Sequence, residues 1–384
     1  MLPRNPKEPH RAASPLELFF DLVFVVAVSF ASVQLHHMAV EDHLGAGVIG
    51  YLMVFFAIWW SWMNFSWLAT AFDTDDWLYR LLTFVQMAGV LVLASGAAQA
   101  MAEHDFMIIT IGYAIMRVAL IAQWIRVAMS SEEMRTTAIR YALGIALVQV
   151  AWFIRLLLPE TAGFIGFFVL MIAEISVPAW AESHRNTPWH PHHITERYGL
   201  FTLILLGESI LASANAVVES LHTTEHLSLL MTIASCGLII AAGMWWIYFA
   251  RGHHHLIRSL RSSLTYGYFH YFIFAAAGAF SAGVEVAIDL AGGESEISGI
   301  TAAATLNVPV ALFAAGIWLM VLRRELSTAR NTVYLLGIAL IVAGIFLPTV
   351  LPVVAAAVGM IVCVVAVEQP RSKTPTVDPE IVAL

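Results

Sequence analysis

Ala46-Gly-Val-Ile-Gly-Tyr-Leu-Met-Val-Phe-Phe-Ala-Ile-Trp-Trp-Ser-Trp-Met-Asn-Phe-Ser-Trp-Leu-Ala-Thr-Ala71 runs for 26 residues without one charged side chain. A helix needs about 20 such residues to cross the hydrocarbon of a bilayer. Runs of similar size lie near 15–37, 78–101, 106–128, 137–157, 162–180, 194–218, 227–250, 264–289, 299–322, 331–348 and 350–368. The last two are short and are joined by Pro348 and Pro352, which suit the turn of a hairpin. Across all 384 residues the chain is 60% hydrophobic and only 12% charged. Soluble domains carry about twice that charge. Little water-facing surface remains, and a bilayer supplies the apolar solvent the chain requires. The expectation is an all-α polytopic membrane protein of about twelve transmembrane helices.

Of the 19 lysines and arginines, 17 fall at the N-terminus, in alternate loops or in the C-terminal tail, all on one side. Arg155 falls on the other side, and Arg117 lies within a span. The positive-inside rule then places both termini in the cytoplasm, in a bacterial inner membrane. The first apolar run has no small-residue cleavage site behind it and reads as the first span. Cys236 and Cys363 both sit in apolar runs and read as small packing residues.

Short words recur six spans apart. Tyr141-Ala-Leu-Gly-Ile-Ala-Leu147 returns as Tyr334-Leu-Leu-Gly-Ile-Ala-Leu340. Trp59-Trp60-Ser61-Trp62 echoes in Trp245-Trp246-Ile247-Tyr248, Gln123-Trp124-Ile125 in Ile317-Trp318-Leu319, and Glu17 aligns with Glu196. Order and spacing agree across the four pairs. Because six is even, this predicts two parallel six-helix repeats, 1–185 and 186–384, an arrangement some transporters use. The boundary segment Ala181–His193 contains Pro188 and Pro191.

Ionisable groups inside spans are costly and mark function by default. Glu17 and Asp21 stand one turn apart on the first span. Their face continues through Val25 and Val28, so it suits helix packing, the mouth of a path, or capping and pairing with loop arginines. Glu208 lies about twelve residues into the seventh span, in Gly207-Glu208-Ser209, and is expected near the midplane. Arg197 and Asn215 share its face. Arg117 in the fourth span is expected to pair with Glu208, with Glu174 as its second candidate partner. Such a pair is either a proton or substrate site or a buried ion pair that fixes helix register. The repeat sets Ser29 opposite Glu208 and Ala311 opposite Arg117, so the halves are chemically unequal, as one central site requires.

His190, His192 and His193 precede the seventh span near Glu196, and His253, His254 and His255 follow the eighth. Histidine with carboxylate suits zinc, but these spacings match no standard zinc pattern; proton exchange or loop hydrogen bonding is the other reading. His270 within the ninth span suits proton relay or a satisfied core histidine. Asp73, Asp75 and Asp76 repel one another unless solvated, paired with arginine or bridged by a cation. The tryptophans at 59, 60, 62 and 67 exceed what an interfacial belt needs and suit an aromatic wall beside a pocket.

Glu17-Leu-Phe-Phe-Asp-Leu-Val-Phe24, Trp59-Trp-Ser-Trp-Met-Asn-Phe65, Phe72-Asp-Thr-Asp-Asp76 and His193-Ile-Thr-Glu-Arg-Tyr-Gly-Leu-Phe201, with Gly207-Glu-Ser209, closely resemble the bacterial low temperature requirement A family. The resemblance covers spans one to eight and implies a polytopic membrane protein tied to growth in the cold, without naming a reaction. Phe20-Asp21 is also similar to the Phe-Ser-Asp motif of lysosomal-type potassium channels, lacking the serine. Three function classes follow. A proton-coupled secondary transporter fits twelve helices, parallel halves and a midplane acid. A cation channel requires a continuous polar path, which Val25 and Val28 interrupt. A membrane-embedded metal-dependent or lipid-modifying enzyme would use the aspartates and histidines. No phosphate-binding Gly-x-x-x-x-Gly-Lys-Ser/Thr motif occurs, which argues against an ATP-driven pump. The sequence implies no cofactor and no nucleic-acid partner. Membrane lipid and an unidentified small molecule or ion are the implied partners, and a homo-oligomer is compatible with this surface.

Overall fold

The computed structural model describes residues 1–368 except 7, 9, 10, 221–226 and 294; within 191–220 the side chains of 212, 213, 215–217, 219 and 220 are also outside the described residues, Asn215 among them. Thirteen α-helices and no strand occur among the described residues: α1 (Pro15–Val40), α2 (Leu44–Phe72), α3 (Trp77–Ser95), α4 (Ala97–Ala102), α5 (Met107–Ser130), α6 (Arg135–Arg155), α7 (Glu160–Glu182), α8 (Pro191–Ser220), α9 (Leu227–Phe249), α10 (Leu260–Gly292), α11 (Gly299–Met320), α12 (Thr328–Ala343) and α13 (Leu351–Val367). Ten are long and apolar enough to cross a bilayer, counting α12 together with the 3-10 turn that extends it to Phe346, and α13 is a shorter apolar helix of 17 residues. The 30-residue α8 carries Glu196, Arg197 and Glu208. Short α4 continues α3 beyond Gly96, so the two fill the third expected span. The protein is an all-α polytopic membrane protein. Its outward face carries leucine, isoleucine, valine and phenylalanine on nearly every helix, the surface that lipid tails solvate.

Local sequence sets the helix ends. Ser14 caps α1, accepting from the Glu17 amide while Glu17 accepts from the Ser14 amide at 2.7 Å, with Pro15 in the first turn. Asp76 caps α3 by accepting from the Tyr79 amide at 2.8 Å. The proline-rich stretch between α12 and α13 makes the hairpin, with Pro352 in the first turn of α13.

Small residues set the closest crossings, the usual device where lipid removes any hydrophobic drive between helices. A Cβ on Gly112 of α5 would lie 2.4 Å from the Leu93 amide nitrogen of α3. One on Gly337 of α12 would lie 2.7 Å from both the Gly359 carbonyl and Cys363 Sγ of α13. Its sequence counterpart Gly144, on α6, meets Val177 of α7 at 2.8 Å. Most helix neighbours correspond between the first six spans and the last six: α1 packs on α2 and α3, α3 on α5, and α6 on α7, while α8 packs on α9 and α10, α10 on α11, and α12 on α13; α13 packs closely on α9 as well, where α7 reaches α2 through side chains such as Glu174 and Trp60. Where the halves meet, α1 and α2 pack on α8 and α10. There Gly278 of α10 leaves room for Tyr51 and Val28, Tyr51 donates to the Ala275 carbonyl (2.9 Å), and Ser32 donates to the Gly278 carbonyl (2.9 Å).

One end of the bundle, called the basic end below, gathers the N-terminal segment, the end of α2 and the start of α8. The Arg4 amide donates to the Ala71 carbonyl (2.9 Å). Arg11 donates to the carbonyls of Ala69 (2.8 Å) and Thr70, where an α-helix C-terminus favours a cation. The aspartate triplet is paired here. Asp75 takes a two-pronged bond from Arg80 at 2.8 and 2.7 Å, Asp76 takes Arg126, and Asp73 lies 3.5 Å from Arg4. Burial, reinforced by the nearby Glu17 charge, pushes the Asp73 carboxyl above the ordinary carboxylate range despite Arg11 and Arg4.

Candidate functional site

Two buried ionic networks stand on either side of α2. The first joins the halves. Arg197 of α8 donates to Glu17 Oε1 (2.9 Å), to Asp21 Oδ2 through Nε (3.2 Å) and to Asp21 Oδ1 through Nη2 (2.5 Å). Trp62 Nε1 donates to Asp21 Oδ1 (2.7 Å), and His193 Nε2 lies 3.2 Å from Glu17 Oε1. Arg197, Asp21 and His193 are 0% exposed and Glu17 is 1% exposed. Helical spacing explains the meeting. Glu17 and Asp21 on α1, and His193 and Arg197 on α8, are each one turn apart and so share a face. Trp62, Phe65, Tyr198, Phe201 and Phe274 wall the cluster, with Phe201 stacked on Trp62 at 4.5 Å and against Phe274 at 5.1 Å.

The second network lies within the first half. Glu174 of α7 accepts from Trp60 Nε1 (2.8 Å), Tyr113 Oη (2.9 Å), Trp152 Nε1 (3.1 Å) and Arg117 Nη2 (3.1 Å). Arg117 also bonds to Tyr113 and lies over its ring. Four donors saturate the two carboxylate oxygens, while Arg117 Nε and Nη1 are buried without a partner. The pairing of Arg117 with Glu208 that the sequence suggested is therefore corrected: the neighbouring α7 supplies Glu174 and satisfies the charge inside one half.

Glu208 stands elsewhere. It is 17 residues beyond Pro191, about 26 Å along a helix of about 45 Å, and so stands close to the middle of α8. It is half-buried and within electrostatic reach of Glu285 on α10. A Cβ on Gly207 would meet nothing within 4 Å, so that glycine marks open space and not a close approach.

The histidines divide. Buried His190 accepts from the His193 amide (3.3 Å), and its Nε2 lies 2.8 Å from the Glu8 carbonyl. His192 is exposed and stacks on His254 at 4.2 Å, and Glu196 is exposed beside it. His190, His192 and His193 thus point to different partners, and among the described residues no group of three histidine, cysteine, aspartate or glutamate side chains is arranged for a metal ion. His270 is fully buried between Tyr248 Oη (3.1 Å) and the Tyr266 carbonyl (2.8 Å). His253 Nδ1 lies 3.1 Å from Tyr266 Oη, and burial pushes this imidazole down to about 4. Arg11, His190, His192, Glu196, Arg251 and His253 line a cleft of about 890 Å³ at the basic end.

Sequence reading missed the aromatic donors. Trp59, Trp60 and Trp62 are not a membrane-interface belt; they are buried, and Trp60 and Trp62 each bind a carboxylate. Two residues apart is about 200° around a helix, so the two rings reach opposite sides of α2. It also missed the partners of His36, whose Nε2 is 2.6 Å from Asp289 and whose Nδ1 is 3.3 Å from Glu285. Two acids one turn apart inside an apolar run were the available signal.

Comparison with known proteins adds an identity to this geometry. A protein of Rhizobium meliloti (strain 1021), itself described as uncharacterized, is 28% identical over 251 residues, 62% of this chain and 59% of that protein. The match thus spans under two thirds of that relative's length. No solved structure matches the chain. The family model for the bacterial low temperature requirement A protein matches residues 12–368, which include both ionic networks. The chain therefore belongs to the bacterial low temperature requirement A family.

Proposed function

We propose that the protein is a proton-coupled secondary transporter in the bacterial inner membrane, with its basic end and both termini in the cytoplasm. One observation carries this reading. Among the described residues, the charged groups of the Glu17–Asp21–Arg197–His193 cluster come from α1 and α8, which belong to different halves of the chain. Two carboxylates face one guanidinium there, so the cluster carries net charge −1 with neutral histidine. Adding a proton neutralises it, and the stability of the seam between the halves changes with it. A charge change at the seam is the coupling that alternating access requires.

The halves are proposed as parallel repeats, 1–185 and 186–384. The largely shared helix neighbours, and glycines at the matching positions Gly144 and Gly337 that each meet the following helix, support this. A cation channel finds less support: beyond Asp21 the same face of α1 is filled by Phe24, Val25 and Val28, all buried. The metal-dependent enzyme has no ligand set among the described residues. The substrate remains an unidentified small molecule or ion.

The test is potential-driven proton uptake into liposomes that hold the purified protein and a trapped pH dye. Wild type is expected to acidify the lumen, and Asp21→Asn to stop it while the protein still elutes as a monodisperse folded species. Wild-type rates in both Asp21→Asn and Glu17→Gln would overturn the proposal.

A further inference from the structure

We propose that His36, Glu285 and Asp289, with Glu208 within electrostatic reach of Glu285, form a proton-binding site at the end of the bundle opposite the basic end, and that this site loads the coupling proton. The second clause rests on the transporter reading; the first does not.

Geometry carries the proposal. His36 of α1 presents both ring nitrogens to carboxylates of α10: Nε2 to Asp289 at 2.6 Å and Nδ1 to Glu285 at 3.3 Å. A neutral imidazole has one N–H and one lone pair. It can donate to one of these carboxylates, and its lone pair then faces the other. The arrangement is satisfied only when it holds one further proton, on the ring or on a carboxyl. Among the described residues no arginine or lysine pairs with these carboxylates to do the same work. The charged and titratable groups around it are Glu208 from α8, His37 at 5.2 Å between ring centres, and exposed Glu41, Asp42 and His43 in the turn after α1. Ala39, Val286, Ile297 and Ala302 pack beneath as an apolar floor. With an imidazolium the four-group set still carries net charge −2, which favours cations at this mouth.

Access fits the role. The side chains of His36, Glu285 and Asp289 are 14, 17 and 26% exposed, whereas the Asp21–Arg197 cluster is sealed. His36 stands 15 residues beyond Asp21 on α1, about 22 Å further along the helix. Between them Ser32, Ser209 and Ser281 place hydroxyls on α1, α8 and α10. Phe201, Phe274 and Trp62 then close the way, with ring centres 4.5 to 5.7 Å apart. An outer site that is partly exposed and an inner site that is sealed, with an aromatic septum between, is the layout in which a proton is taken up at one face before the inner cluster changes state.

Two readouts test it. The first is the proton uptake described above, measured against the pH on the His36 side. The second is a histidine-nitrogen NMR titration of the solubilised protein, with His36→Gln to assign the signal. Wild type is expected to show a saturable pH dependence. His36→Gln should lose saturation and at least tenfold of the rate, Glu285→Gln should move the midpoint by a pH unit or more, and Glu285→Asp should restore it. If wild type conducts and all three variants keep its rate and midpoint, the proposal is overturned. If wild type does not conduct but a His36 resonance titrates and Glu285→Gln shifts it, the transporter reading falls and the proton-binding site stands. A His36 resonance unmoved by pH or by Glu285→Gln overturns the site itself.

Discussion

Arg197→Met removes the one guanidinium that faces Glu17 and Asp21 while keeping most of the side-chain length. Glu17 retains the Ser14 amide and His193, but Asp21 retains only Trp62 for its two buried oxygens. Breaking a buried pair by deleting one partner costs about 3–5 kcal/mol, since a charge is left uncompensated. Much of that cost belongs to Asp21. Replacing it as well, in Arg197→Met/Asp21→Asn, removes the stranded charge, so the double variant should be less damaged than the two singles added together. The coupling expected is about 2–3 kcal/mol, at the upper end for residues in one network. Reversible unfolding in mixed detergent micelles, followed by helix signal, measures all four corners of the cycle. A coupling below about 0.5 kcal/mol, the range of independent sites, would refute the view that this cluster holds α1 to α8.

Further outcomes follow from other parts of the bundle. Glu174→Gln presents an amide NH2 to donors that expect an acceptor and leaves Arg117 uncompensated, so it should cost about 3 kcal/mol by the same unfolding assay. Gly337→Val sets a side chain against the Gly359 carbonyl and should lower stability by about 1–3 kcal/mol, whereas Gly207→Ala, which meets nothing, should be neutral or mildly stabilising in thermal denaturation. Asp76→Ala removes the α3 cap and the Arg126 pair and should cost about 1–2 kcal/mol; Arg126→Ala removes only the partly exposed pair and should cost less. Burial holds His253 at about 4 against an ordinary value near 6.5. Its neutral form is therefore the folded form, so its contribution is complete above about pH 6.5 and falls as pH drops toward 4. His253→Phe should flatten that window in a pH series of melting temperatures.

The spans were legible because apolar runs of membrane length are unambiguous once charge is scarce. Ten helices, with α8 and α13 beside them, stand where the runs lie. The two ends of the first ionic network were legible too: Glu17 and Asp21 share a face, as do His193 and Arg197. Their meeting was not, because it depends on which helices of the two halves touch, and no periodicity within one helix reports that. Arg117 illustrates the same limit. Glu208 and Glu174 are both acids within spans, and only the packing of α5, α6 and α7 decides for Glu174. Depth misled as well. Arg197, counted with the loop arginines, lies inside α8. Tryptophans read as a wall because their hydrogen-bond partners sit on other helices.

The pair Trp60 and Trp62 has a mechanical consequence. Each indole is pinned to a carboxylate that its own helix does not supply: one fixes α2 to α7, the other to α1. A helix pinned on two sides cannot turn about its axis by even a fraction of one residue's 100° without stretching both bonds. Any motion that loosens the seam between α1 and α8 must therefore either leave α2 as a fixed post or carry the Glu174 assembly with it. The Trp-Trp-Ser-Trp word thus works as a gear tooth that meshes two charged centres sharing no residue.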